Sequence, residues 1–194
     1  MPKVLIADNV SNVVCEIFDT NNIEYEKKVG LSEDELSAEI KGYDGLLIRS
    51  AVTVTKKIIE SSDNLKVIGR PGVGVDNVDL QASSEKNIVV MNTPLGNVQA
   101  TAELTFGIIH SLMRKIHIAN SSMHNKKWEK KKLIGNELLG KNISIIGFGN
   151  IGKKVADFAK AYGMNIIVVS ETASSGDVDY LNAKVMKFDD MLSE

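Results

Sequence analysis

Residues 143–152 read ISIIGFGNIG, and residues 166–175 read IIVVSETASS. In the first stretch an apolar run reads as a strand, and it meets Gly147, Gly149 and Gly152 in a G-x-G-x-x-G pattern. NIGKKVADFAKAYG (150–163) then has the spacing of a helix. In such a pattern the first glycine permits the tight turn. The second removes a side chain, so a pyrophosphate can approach the backbone, and the third lets the helix lie close to the strand. Unsatisfied N–H groups and the positive helix end then face the phosphates. The bare pattern also fits a tight turn in some other doubly wound protein. A strand before it, a helix behind it and a second strand about twenty residues on favour a dinucleotide site.

That second strand (165–170) ends on Ser170, where an acidic residue would accept hydrogen bonds from the adenosine ribose. Ser170 has no charge. Glu171 is placed to reach round to the ribose, and it would repel the 2′-phosphate of NADP. NAD is the expected cofactor, with NADP, or no useful binding, as alternatives.

Working outward, apolar runs alternate with helical patterns. Strands are expected at 3–8, 23–28, 43–50, 65–70 and 88–93, with helices between them. Ser32 and Glu35 form the residue pair of a capping box, so a helix starts there. The near-continuous apolar runs suit parallel strands buried on both faces. PLGNVQ (94–99) carries Pro and Gly and reads as a domain junction. A long helix is expected from about 99 to 124, with Leu104, Ile108, Leu112 and Ile116 at four-residue steps, followed by a polar connector in which Trp128 serves as packing anchor. The fold class is α/β: a flavodoxin-like parallel-sheet substrate domain (1–98), followed by an incomplete Rossmann dinucleotide-binding domain (99–194).

Composition narrows the function. A chain of 194 residues with 43% hydrophobic and 25% charged residues is that of an ordinary soluble globular protein. A net charge of −2 gives no general pull toward nucleic acid or membrane, and KKWEKKK (126–132) reads as a solvated connector. No apolar run approaches a membrane span, and MPKVLIADN lacks the features of a signal peptide, so a cytoplasmic location is expected. Cys15 is the only cysteine, which rules out a disulfide within the chain, and it is expected to be a buried, inert thiol. His110, His117 and His124 recur every seven residues, about 10 Å apart along a helix, too far to share a metal ion. They read as surface or partner-facing residues.

Only three of the 23 basic residues are Arg. Arg49 ends the third expected strand, with Ser50 beside it. Arg70 leads into GRPGVGVDNVD (69–79), a Gly-rich loop whose backbone N–H groups can point at a small anion. Two Arg at the carboxyl ends of parallel strands line the crevice where such sheets bind ligands. For Arg49 substrate contact is favoured over a structural ion pair; for Arg70 the preference is reversed.

LLIRSAVTVT, GRPGVGVDNVDL, VVMNTPLGN, AELTFGII and KKWEKKKLIGNELLGKNISIIGFGNIGKKVADFAKAYGM together resemble the D-isomer-specific 2-hydroxyacid dehydrogenases, from residue 3 to about 191. The resemblance is to the members that oxidise 3-phosphoglycerate to 3-phosphohydroxypyruvate with NAD, the first step of serine synthesis. It implies a small anionic 2-hydroxy acid as substrate, a cleft between two domains, and a homodimer formed through residues 99–132. Arg49 and Ser50 match the substrate-contacting segment. Val73 and Gly74 match the loop that meets the substrate carboxylate near the nicotinamide, and Asn97 matches a cleft-lining asparagine. Asn150 and Ile151 match the residues whose backbone meets the pyrophosphate. Ser170 departs from the Asp usual in the family. The family's catalytic Arg, Glu and His fall beyond residue 194, so these residues alone are expected to be inactive. The alternative is a non-catalytic dinucleotide-binding or dimerising module that pairs with a full-length subunit.

Overall fold

The structure is a computed structural model describing residues 1–193. The chain divides into two compact units, one ending at Gly96 and the other starting at Asn97.

In the first unit five strands, β1 (Lys3–Ile6), β2 (Glu24–Lys27), β3 (Gly45–Leu47), β4 (Val67–Arg70) and β5 (Val89–Asn92), alternate with four helices. The helices are α1 (Asn12–Thr20), α2 (Glu33–Glu39), α3 (Lys56–Ser61) and α4 (Leu80–Glu85). All strand pairs are parallel, in the order β2-β1-β3-β4-β5, which is the flavodoxin-like order. Leu5, Leu46 and Ile68 lie in register at the sheet centre and pack with Leu36, Ile40, Ile58 and Ile59 from the helix side. The expected capping box is formed: Ser32 Oγ accepts from Glu35 N–H, and Glu35 reaches back to Ser32 N–H. Asp79 caps α4 by accepting from Ala82 N–H at 2.9 Å. Cys15 is half-buried rather than buried, because α1 sinks none of its residues fully into the core.

A charge cluster ties β1, β2 and α2 together. Lys28 Nζ lies 2.8 Å from Glu26 and 2.6 Å from Glu39, and the Tyr43 hydroxyl lies 2.9 Å from each carboxylate, with one proton shared between them. Lys28 first, then Lys3 and Tyr43, hold the Glu26 carboxyl at about 2, against an ordinary 4.5. Burial pushes the Tyr43 hydroxyl well up. A carboxylate depressed in the fold stabilises it above its unfolded value, and that contribution fades as pH falls from 4.5 toward 2. The stability difference between wild type and Glu26→Gln, followed by thermal unfolding, is therefore expected to shrink across that window. A difference that does not change with pH would show that the Glu26 charge contributes nothing to stability.

The second unit contains α5 (Val98–Met113), α6 (Ile116–His124), β6 (Asn142–Ile146), α7 (Asn150–Ala161), β7 (Asn165–Val169), α8 (Ser175–Val178), β8 (Lys184–Met186) and α9 (Phe188–Met191). The three strands are parallel in the order β6-β7-β8. Among the described residues β6 pairs with β7 alone, and its last residue, Ile146, is 65% exposed. α5 packs on α7 through Phe106, which meets Phe158 edge-on at 5.5 Å, and it stacks on Tyr162 at 5.3 Å.

Three expectations for this unit are corrected. The long helix is broken between Met113 and Ile116, where Lys115 takes a left-handed φ of 53°. The break is held from outside. Asn136 N–H donates to the Met113 carbonyl at 2.8 Å, and a Cβ on Gly135 would lie 2.8 Å from Arg114 Cα. With the helix broken, the three histidines share no continuous stripe. His110 is half-buried, with its ring 4.8 Å from that of Tyr162, so it belongs to the packing rather than to the surface. Trp128 is 79% exposed and anchors nothing.

Candidate functional site

The glycine turn in the second unit has the geometry its spacing predicts. β6 runs into Gly147, which has a φ of 93° and donates to the Val169 carbonyl at 2.8 Å. Only glycine takes that conformation without strain. Gly149 is the N-cap of α7. A Cβ there would meet nothing within 4 Å, whereas a Cβ on Gly152 would lie 2.1 Å from the Gly147 carbonyl oxygen. Open space lies before Gly149 and close packing behind Gly152, as required for a phosphate to approach the start of a three-turn helix. Asn150 opens that helix, and Ile151 is half-buried against the core.

Beside the turn lies a pocket of about 680 Å³, lined among others by Gly147, Phe148, Ser170, Glu171 and Lys187. Ser170 Oγ accepts from Thr172 N–H and Ala173 N–H, each at 3.3 Å. A pyrophosphate cradle and an adjoining pocket at the carboxyl ends of β6 and β7 fit an adenine dinucleotide such as NAD.

The first unit carries a second set of donors. In the order β2-β1-β3-β4-β5 the direction of winding reverses between β1 and β3, and ligands bind outside the carboxyl ends at such a point. Asp8 follows β1, and Arg49 and Ser50 follow β3. Asp8 is 7% exposed. One of its carboxylate oxygens accepts from Arg49 N–H and Ala51 N–H, both at 3.0 Å. Asn77 Nδ2 donates to the Arg49 carbonyl at 2.6 Å and to the Val52 carbonyl at 2.5 Å. These contacts fix the backbone on either side of Arg49, whose exposed guanidinium is held, among the described residues, by the Asn9 carbonyl at 3.4 Å.

The loop after β4 is held by its carbonyls. Arg70 Nη1 donates to the Gly74 carbonyl, Asn92 Nδ2 to the Val73 carbonyl at 2.6 Å, and Thr93 N–H to the Gly72 carbonyl at 2.9 Å. The N–H groups of Val73 and Gly74 make no hydrogen bond among the described residues, which leaves them as donors for a small anion. The Arg70 side chain is largely buried under this loop, with Asp76 at 3.7 Å. Asn97 stands at the N-cap of α5 in the second unit, and its side chain makes no capping bond. Sequence reading missed Asp8, Asn77 and Asn92. The signal was present for Asp8, a carboxylate directly after the first strand, whereas Asn77 and Asn92 take their meaning only from which carbonyls they reach.

Among the described residues no group of three or more His, Cys, Asp or Glu is placed to hold a metal ion, and no helix is long and apolar enough to cross a membrane. The family described as D-isomer specific 2-hydroxyacid dehydrogenase, catalytic domain, matches residues 4–175. The chain belongs to this family. Among D-isomer specific 2-hydroxyacid dehydrogenases it is similar to the D-3-phosphoglycerate dehydrogenase of Homo sapiens, with 46% identity over 165 residues, 85% of this chain and 31% of that protein. The D-3-phosphoglycerate dehydrogenase of Archaeoglobus fulgidus is 38% identical over 191 residues, 98% of this chain and 36% of that one. A solved protein of Thermus thermophilus matches with a TM-score of 0.86 and 27% identity, over 99% of this chain and 62% of that structure. The chain thus spans about a third of the length of the curated relatives it matches.

Proposed function

We propose that this chain supplies the substrate-binding (1–98) and dinucleotide-binding (99–194) parts of an NAD-dependent dehydrogenase that oxidises 3-phosphoglycerate to 3-phosphohydroxypyruvate. The observation that carries this reading is the turn at 147–152, with Gly149 open and Gly152 pressed on the Gly147 carbonyl, in a chain of this family. NAD supplies the hydride acceptor. Gly147, Gly149 and Gly152 shape the cradle, and the backbone of Asn150 and Ile151 meets the pyrophosphate. Ser170 and Glu171 line the adenosine side. Val73 and Gly74 offer backbone N–H groups to the substrate carboxylate, with Val73 on the nicotinamide side. Arg49, together with Ser50, meets the anionic end of the substrate, and Asn97 contributes its amide. The D-3-phosphoglycerate dehydrogenases among the relatives support the choice of 2-hydroxy acid.

The test is NADH formation by the full-length protein given NAD and 3-phosphoglycerate. Arg49→Ala is expected to raise KM for 3-phosphoglycerate by about 10- to 100-fold, the equivalent of a lost charge-assisted hydrogen bond, with a smaller effect from Arg49→Lys. An unchanged KM removes Arg49 from the reading, and no turnover of any 2-hydroxy acid overturns it.

We further propose that the protein pairs with a second copy of itself through residues 99–132. Leu104, Ile108 and Leu112 are all exposed at four-residue steps on one face of α5, an apolar stripe suited to burial against another helix. Sedimentation of the full-length protein is expected to give a dimer that Ile108→Asp converts to monomer. A wild-type monomer at micromolar concentration would rule this out.

A further inference from the structure

Two loops of the first unit carry the groups assigned to the two ends of the substrate, and one side chain joins them. The loop after β3 carries Arg49 and Ser50, and the loop after β4 carries Val73 and Gly74. The second loop is the fixed one. Asn92, the last residue of β5, and Thr93 after it hold the Val73 and Gly72 carbonyls, and Arg70 holds the Gly74 carbonyl. Just beyond Gly74, Asn77 reaches across to the first loop. Its Nδ2 donates to the Arg49 carbonyl at 2.6 Å and to the Val52 carbonyl at 2.5 Å, and its own carbonyl accepts from Val54 N–H at 2.8 Å. The pairing of Val54 with Val78 continues this seam, with Asp79 N–H donating to the Val54 carbonyl at 2.9 Å. Asn77 Oδ1 is buried and makes no hydrogen bond among the described residues. An unpartnered buried acceptor costs stability. Turning the amide would not relieve it, because the oxygen would then face two carbonyl oxygens. The orientation of the amide is therefore set by its two bonds to the first loop.

We propose that Asn77 is a positioning residue that sets the span between the two substrate anchors, so that a 2-hydroxy acid is selected by whether it carries a second anionic group at that distance from its carboxylate. This inference rests on the function proposed above. A loop hung from β3 alone would let Arg49 shift relative to the N–H groups of Val73 and Gly74. With Asn77 in place the backbone of Arg49 is gripped on both sides. Asp8 accepts from its N–H, and Asn77 donates to its carbonyl. The two grips differ in what they connect. Asp8 ties Arg49 to the end of β1, whereas Asn77 ties it to the loop that offers N–H donors to the carboxylate. A ligand with two charged ends benefits, because both of its partners are already in place and need not be ordered as it binds. A ligand that engages the 73–74 loop alone is indifferent to where Arg49 stands. Asn77 thus acts on the choice between substrates through the loops. Its own polar atoms are not offered to a ligand, since Nδ2 is engaged and Oδ1 is buried.

The experiment compares 3-phosphoglycerate with D-glycerate, which has the carboxylate and the 2-hydroxyl but no phosphate, as substrates of the full-length protein with NAD. Wild type, Asn77→Leu, Asn77→Ala and Arg49→Ala are measured, and each Asn77 change is repeated in the Arg49→Ala background. Thermal unfolding checks that each variant is folded. Leu has nearly the shape of Asn and removes the unpartnered acceptor together with the donor, so it preserves the fold better than Ala does. In both Asn77 variants kcat/KM for 3-phosphoglycerate is expected to fall by about tenfold, the size of a lost hydrogen bond. For D-glycerate it is expected to stay within about twofold of wild type, because no anion there needs Arg49. Adding an Asn77 change to Arg49→Ala is expected to cost no more than about a further twofold with 3-phosphoglycerate, because the two residues act on one contact. That comparison decides alone where D-glycerate turns over too slowly to measure. An equal loss with both substrates would show that Asn77 supports the site as a whole and selects nothing, which overturns the proposal. It is overturned as well if neither substrate is affected, or if the Asn77 change has its full effect on top of Arg49→Ala. In each of those cases the dehydrogenase reading stands. If wild type oxidises neither substrate, that reading falls, and this inference falls with it.

Discussion

Gly152→Ala is expected to destroy the dinucleotide site and to destabilise the protein by about 3 kcal/mol, at the upper end of what overpacking costs. The added methyl carbon would stand 2.1 Å from the Gly147 carbonyl oxygen, and that oxygen is backbone, so no side-chain rotation relieves the clash. Relief requires α7 to move off β6. That opens the packing of Val155, Ala156 and Ala159 against Ile145 and Ile166 and draws the helix end away from the phosphates. Gly149→Ala is the informative companion. Its Cβ meets nothing within 4 Å, and its φ of −78° suits any residue, so stability is retained while the methyl occupies the space a phosphate would enter. Urea unfolding and nucleotide titration separate the two. Loss of binding in both variants, with loss of stability in Gly152→Ala alone, is the expected pattern. An unaltered Gly152→Ala protein would show that the helix does not approach the strand as described.

Asp8→Ala carries the second large effect. The buried carboxylate satisfies Arg49 N–H and Ala51 N–H at 3.0 Å and Asn9 N–H at 2.6 Å. Removing it leaves three backbone donors, on Asn9, Arg49 and Ala51, without the buried carboxylate that accepts from them. Hydrogen bonds to a charged group contribute about 1.5–3 kcal/mol each, so a loss of about 3 kcal/mol or more is expected. The segment that carries Arg49 then loses its tie to β1, and KM for the anionic substrate rises along with it. Asp8→Asn, which keeps an oxygen of the same shape, is expected to recover part of both. Stability lost without any change in KM would show that Asp8 supports the fold but does not place Arg49.

The features legible in the sequence are those whose causes are local. Gly147, Gly149 and Gly152 announce a turn because the requirement for no side chain sits within six residues. Ser32 and Glu35 announce a helix start for the same reason. The strands of the first sheet are legible because burial on both faces makes each of them an apolar run. The break at Lys115 is not legible. Nothing between Met113 and Ile116 forbids a helix, and the contacts that end it come from Gly135 and Asn136, about twenty residues away. The stripe of three histidines fails with it. Trp128 reads as an anchor because a large aromatic is usually buried, but burial depends on a neighbour that the local sequence does not name. Asn77 looks like an ordinary loop residue and Asn92 like the end of a strand until the structure shows that they hold the carbonyls of Arg49 and Val52 and of Val73. Ser170 and Glu171 lie between these cases. The missing carboxylate is visible in the sequence, but the engagement of Ser170 with its own turn is visible only in the structure.

The order of strands has a consequence for the chain as it leaves the ribosome. In the first sheet β2 joins one side of β1, β3 joins the other, β4 joins β3, and β5 joins β4. Every newly made strand therefore adds to an open border of what already exists, and none must be threaded between two partners already bonded. The second sheet grows in the same way, from β6 to β7 to β8. The core of the first unit draws only on residues from Leu5 to Val90. All of these residues precede α5 in the chain. Domains tend to fold as units during synthesis, the N-terminal one first. For this chain the strand order permits the first sheet to be extended in the order of translation without undoing a pairing.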